Sequence, residues 1–273
     1  MPTYITTMPS QSFKSIIGFV LLFSLYHAAE YFVLFTYSPI GFLSFQIAFF
    51  LVAWLLAKWQ GLNGLAAWRL DTKKGWFKNL LLGMFMGLIL YGGAFAVSLW
   101  LKSEQIIQVP SFSAIWPQLA LFGIGTFFSS FSEDVLTRGY VYKHMASKTS
   151  ALTFVLISST IYVLNHIYRL GDGVETLIYL FLLGVLFAIP LLFTKRLWLT
   201  GGMHWIGNTT FYYTHSAISV KEGQGELSPN TIFIVCIILF IPLMVLILRF
   251  FITTLRYNGK EDSLSNTSAS MAT

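Results

Sequence analysis

The chain has 273 residues, 56% of them hydrophobic and only 10% charged, with a mean hydropathy of +0.70. Soluble domains carry about a quarter charged residues, so this deficit excludes an ordinary soluble fold, and apolar runs that are continuous rather than alternating exclude a membrane β-barrel. The net charge of +6 comes from Lys and Arg at the ends of apolar runs, where membrane topology puts them, and implies no nucleic-acid partner; the lone Cys236 rules out an internal disulfide and a cysteine-rich metal site.

Apolar runs near the ~20 residues that cross a bilayer predict an all-α polytopic membrane bundle of about eight transmembrane helices. They lie at 16–37, 41–57, 79–101, 118–142, 151–169, 174–194, 197–214 and 231–254, in one integral membrane domain of residues 1–257. A Ser/Thr/Asn-rich tail, 258–273, is expected to be disordered. The first run has a signal-like end at Ala28-Ala29, but Glu30 is followed by more apolar residues, so it is expected to remain as a span. His27 and Glu30, three apart, suit either a local hydrogen bond or the lining of an access path. Pro39-Ile40-Gly41 makes a tight connection to the second span.

Between the second and third spans, Trp59, Leu62, Leu65, Trp68, Trp76 and Phe77 mix with five basic residues, which predicts an interfacial amphipathic helix or aromatic belt, with specific lipid recognition as the lesser alternative. Gly83, Gly87, Gly92 and Gly93 predict a close-packing face on the third span, as do Gly123 and Gly125 on the fourth, which Pro117 opens. Lys195-Arg196 is so short a connection that the sixth and seventh spans form an antiparallel pair. Of the 17 Lys and Arg, Lys102, Arg169 and Lys221 fall on one side, Arg138 lies inside a helix, and the remaining thirteen, Arg256 and Lys260 among them, fall on the other. That asymmetry puts both termini in the cytoplasm.

Three spans carry polar groups where hydrocarbon should surround them, which makes each a functional-site hypothesis. In the fourth, Glu133 and Asp134 precede Arg138. On a regular helix Asp134 and Arg138 share a face one turn apart and pair, whereas Glu133 is offset by roughly 140° and free to act as a general acid or base. A buried salt bridge that merely holds the bundle together fits the same residues. In the fifth, Tyr162 and His166 stack one turn apart, as a catalytic pair or an interfacial one. In the seventh, Gly201-Gly202 allow close approach or local unwinding, and His204 and Asn208 share a face from which they stabilise an oxyanion or bond to another helix.

A Glu-Asp-xxx-Arg-Gly helix, a Tyr-xxx-His helix and Leu-Trp-Leu-xx-Gly-x-His-xxx-Asn, in that order over residues 128–212, resemble the CPBP family of CAAX-protease and bacteriocin-processing (Abi) intramembrane proteases. Asp134 stands where the family more often has a second glutamate, Thr137 replaces an aromatic, and Tyr162 replaces phenylalanine. The resemblance implies an intramembrane endopeptidase with Glu133, His166, His204 and Asn208 in its active site and Asp134, Arg138 and Tyr162 in support. It also implies a membrane-associated, prenylated or leader-bearing protein substrate and a bacterial inner-membrane location. The expected chemistry is hydrolysis by Glu133-activated water without a cofactor. Zinc held by Glu133, His166 and His204 is the alternative. A transporter path or a catalytically silent scaffold remain other uses of the same groups. In straight, upright helices the depths of His166 and His204 differ by roughly 10–15 Å, so a shared site requires tilt, a kink near Gly201-Gly202, or a displaced fifth span.

Overall fold

Ser38 caps a helix that Pro39 opens, its hydroxyl accepting from the Gly41 amide at 3.1 Å, and this turn folds α1 (Gln11–Leu34) back on α2 (Pro39–Trp59). The computed structural model describes residues 11–255, with side chains described through residue 251, so the tail at 258–273 and the basic residues Arg256 and Lys260 lie outside the described residues. α3 is Trp76–Trp100, and α4 (Phe112–Asp134) continues through a π-helical turn at Val135–Tyr140 into α5 (Val141–Met145). Then come α6 (Ala151–Leu164), α7 (Val174–Thr194), α8 (Trp198–Tyr212) and α9 (Pro229–Leu255). The protein is an all-α helical membrane bundle.

Six helices among the described residues are long and apolar enough to cross a bilayer: α1, α2, α3, the continuous Phe112–Met145 helix, α7 and α9. The fifth and seventh expected spans fold instead as α6, of 14 residues, and α8, of 15. α6 reaches only about 21 Å at 1.5 Å per residue, short of a ~30 Å core, whereas α8 runs on through a π turn at Tyr213–Ala217 and carries polar residues, His204 and Asn208 among them, that lower its hydropathy. Hydropathy could not separate a short buried helix from a spanning one, because both are apolar. Pro117 lies inside α4 rather than at its start. In the second turn it removes one early hydrogen bond without breaking the helix.

The stretch between α2 and α3 forms a 3-10 turn, Gly64–Trp68, in place of an amphipathic helix. Trp68 is fully buried, donates its indole N–H to the Ala53 carbonyl at 2.8 Å and stacks on Tyr140, while Trp59 and Phe77 remain exposed. One apolar cluster joins α1, α2 and the π turn around Trp68, and a second joins α3, α7, α8 and α9. α8 seats its backbone on α3: a Cβ at Gly83 or Gly87 would collide with the carbonyls of Leu199 or Met203, and one at Gly202 with that of Leu80. Gly93 and Gly123, by contrast, face open space and Gly92 nearly so; Gly125 makes ordinary contact with Phe42. The small-residue face of α3 is therefore the Gly83–Gly87 pair alone.

At one end of the bundle the chain adds a two-stranded antiparallel sheet that no local pattern announced, β1 (Glu104–Gln108) with β2 (Ser219–Glu222). Its strands come from loops more than 100 residues apart, and their pairing is a tertiary event. Beside it, buried Glu104 meets His215 Nε2 at 3.0 Å. Burial pushes the Glu104 carboxyl up, but hydrogen bonds from His215 and Ser98 outweigh it and hold the group below its ordinary value of 4.5.

Gly83→Ala is expected to cost about 1–3 kcal/mol through overpacking against a backbone that has no rotamer to change. Gly93→Ala should leave thermal unfolding in detergent unchanged. Because the Glu104 pKa is depressed on folding, its stabilisation is present above pH 4.5 and is lost as pH falls through the folded value. Glu104→Gln should therefore flatten that acid-side loss in a stability–pH series.

Candidate active site

α4 ends its regular course at Glu133-Asp134, and the π turn that follows redirects side chains inside one continuous helix. The expected pair forms despite the departure from regular phase: Arg138 Nη1 donates to Asp134 Oδ1 at 2.5 Å, with no exposed surface on either side chain. The guanidinium also donates to Thr137 Oγ1, which in turn donates to the Glu133 carbonyl at 2.7 Å. Thr137 thus latches the turn from within. The Arg138 guanidinium lies over the Tyr162 and Phe187 rings at 4.5 and 5.1 Å. Nε and Nη2, which find no hydrogen-bond partner among the described residues, are covered by those aromatic faces.

Glu133 points away from this pair, as the phase argument required. Its Oε1 accepts from Asn165 Nδ2 at 3.0 Å and lies 3.6 Å from His166 Nδ1, while Oε2 lies 3.5 Å from His204 Nε2. Tyr26 of α1 brings its phenol toward the same carboxylate. The structure therefore gathers Glu133, His166 and His204 at one point. Asn208 stands beside them: its Nδ2 donates to Ser130 Oγ at 3.2 Å, one turn before Glu133 on α4.

Each imidazole is oriented by a second partner. His166 Nδ1 lies 2.8 Å from the Tyr162 carbonyl, which can only accept, so Nδ1 carries the proton and Nε2 of the neutral ring keeps its lone pair. His204 Nδ1 lies 3.3 Å from Asp134 Oδ1, so the carboxylate that pairs with Arg138 also sets the His204 ring. Phe187 stacks on His204 at 4.7 Å, and Tyr162 presents its edge to both imidazoles. Glu133 and His204 are almost fully buried, whereas the His166 side chain is 15% exposed and Asn208 is half-buried. Access to the carboxylate is from the His166 and Asn208 side.

The depth mismatch is resolved by where the short helices begin. Leu197 sits level with Gly139, and His204 is seven residues beyond it, about as far along α8 as Glu133 is back along α4. Ser158 Oγ donates to the Thr137 carbonyl, which sets mid-α6 opposite the π turn. The start of α6 then lies about 10 Å nearer the Met145 end than that contact, beyond the start of α8. His166, just past the end of α6, thus reaches the depth of His204 without a break in α8 at Gly201-Gly202, where the helix is regular.

His27 and Glu30 form a local pair at 2.7 Å. Asn165 and Tyr26 were not anticipated. An asparagine at a helix end reads as a cap, and a tyrosine in an apolar run reads as packing; only adjacency to His166 hinted at the first. Zinc does not fit the side chains as they lie. The nitrogen of His166 that faces Glu133 is the one committed to the Tyr162 carbonyl, and among the described residues no group of three or more His, Cys, Asp and Glu is arranged to hold a metal ion.

No curated protein and no solved structure matches the chain. Residues 115–210 match the family model described as type II CAAX prenyl endopeptidase Rce1-like. That stretch contains Glu133, Asp134, Arg138, Tyr162, His166, His204 and Asn208, and the match supports a relationship to CPBP/CAAX-protease membrane endopeptidases.

Proposed function

We propose that the site hydrolyses a peptide bond of a membrane-associated protein, with Glu133 as the general base that activates water. The observation that carries this reading is the spacing around Glu133: imidazole nitrogens at 3.5 and 3.6 Å, too long for direct hydrogen bonds. A water set to one side of Glu133 Oε2 and His204 Nε2 can donate to both, which leaves its lone pairs directed outward at a substrate carbonyl. As the water oxygen bonds to that carbon, one O–H proton passes to Glu133 and the carbonyl electrons move onto oxygen. The tetrahedral intermediate then expels the amine, which takes its proton from Glu133 as the C–N bond breaks.

Supporting roles follow from the second partners. His204, held by Asp134, fixes the water, Asn165 fixes the carboxylate, and His166, held by the Tyr162 carbonyl, walls the open side of Glu133. Asn208 spends one amide N–H on Ser130 and keeps another for the oxyanion. Catalysis in this form needs no metal, which agrees with the poor fit of the zinc set. Prenylated or leader-bearing proteins in a bacterial inner membrane are the substrate class and setting we assign.

Membrane proteomes of cells carrying the wild type or Glu133→Gln test the reading. Peptides with new C-termini should appear with the wild type and fall by at least ~10²-fold with the variant, the scale of a lost acid–base group. If no peptide differs, the protease reading fails and a scaffold role replaces it. Activity lost to a chelator and restored by zinc would overturn the metal-free form. Glu133→Gln should unfold close to the wild type, because its amide oxygen still accepts from Asn165. Arg138→Leu strands Asp134 without its cation and is expected to cost about 3–5 kcal/mol in detergent unfolding.

A further inference from the structure

Three cations lie around Tyr142, at the end of the bundle that carries the 3-10 turn. Arg69 and Lys143 line a cavity of about 230 Å³ together with Leu62, Asn63, Ala66 and Ala67. Arg69 lies over one ring, Tyr142, at 4.7 Å, and Lys195 approaches the same ring at 5.6 Å. None of the three has a carboxylate at salt-bridge distance among the described residues. Asp71, the acid nearest to Arg69 in sequence, is taken by buried Arg196 at 3.0 Å. Arg69 Nε is moreover buried with no hydrogen-bond partner among those residues. Such a cluster has its repulsion and its donors unanswered until an anion enters.

The position identifies the anion. Trp54 and Trp59, both more than 40% exposed, mark this end of α2 as a membrane surface, and Trp54 lies against Gly64 of the 3-10 turn whose Ala66 and Ala67 line the cavity. A guanidinium fork with two ammonium groups suits the several acceptor oxygens of a phosphate. We propose that Arg69, Lys143 and Lys195 bind a phosphate group, that of an anionic phospholipid whose acyl chains lie along α2. The site is separate from Glu133 and does not rest on the proteolytic reading.

The test is retention of phosphatidylglycerol against phosphatidylcholine by the purified full chain, read by native mass spectrometry. Lys143→Gln changes an exposed side chain at the end of α5 and should weaken retention about fivefold, the effect of one cation at a membrane surface. Lys58→Gln, exposed at the same end but outside the cavity, should leave it unchanged. Glycerol phosphate in a second arm distinguishes the source: displacement of the lipid that depends on Lys143 supports the phosphate site with a soluble ligand. Equal loss in both variants means diffuse surface charge and overturns the proposal, as does a wild type with no preference for phosphatidylglycerol.

Discussion

An ion pair without exposed surface organises this bundle. Asp134 and Arg138 would each be costly alone in a low-dielectric interior, and their mutual attraction offsets desolvation only if the remaining polar atoms are also covered. That requirement recruits three more helices: α6 supplies the Tyr162 ring, α7 the Phe187 ring, and α8 the His204 imidazole that shares Asp134. Four helices thus meet at one charged centre. The adjacent carboxylate, Glu133, is left without a cation and faces two imidazoles instead.

Membrane thickness decides how those imidazoles arrive. A spanning helix carries its ends to the surfaces, whereas α6, at 14 residues, ends within the bundle and α8 begins there. The 34-residue Phe112–Met145 helix gives α6 something to follow beyond the level where α8 starts. Contact of the α3 glycines with the α8 backbone then fixes the height of His204 without any strain in α8. Backbone packing, rather than a hinge, sets the geometry.

Much of the site was legible because it is local. Asp134 with Arg138, and Glu133 turned away from them, follow from helical phase over five residues, and the π turn did not undo it. The Tyr162–His166 contact follows in the same way, although His166 has already left the helix. What was misread had no local signature. Gly92 and Gly93 look the same in sequence as Gly83 and Gly87, yet only the latter face another backbone. Trp68 looks like a belt residue but is driven into the core by its bond to the Ala53 carbonyl.

By itself the sequence determined that this is a polytopic helical membrane protein, which helices bear charge, and which charges pair along a helix, because hydropathy and the 3.6-residue period act within short stretches. The tertiary structure alone decided that His166 and His204 share one depth, that Asn165 and Tyr26 join Glu133, and that Arg69 and Lys143 line one cavity while Lys195 approaches the Tyr142 ring that Arg69 covers. Those outcomes depend on where each helix starts relative to its neighbours. Chain segments up to 128 residues apart, Arg69 and Leu197, set that relation through backbone contact, and no residue in them records it on its own.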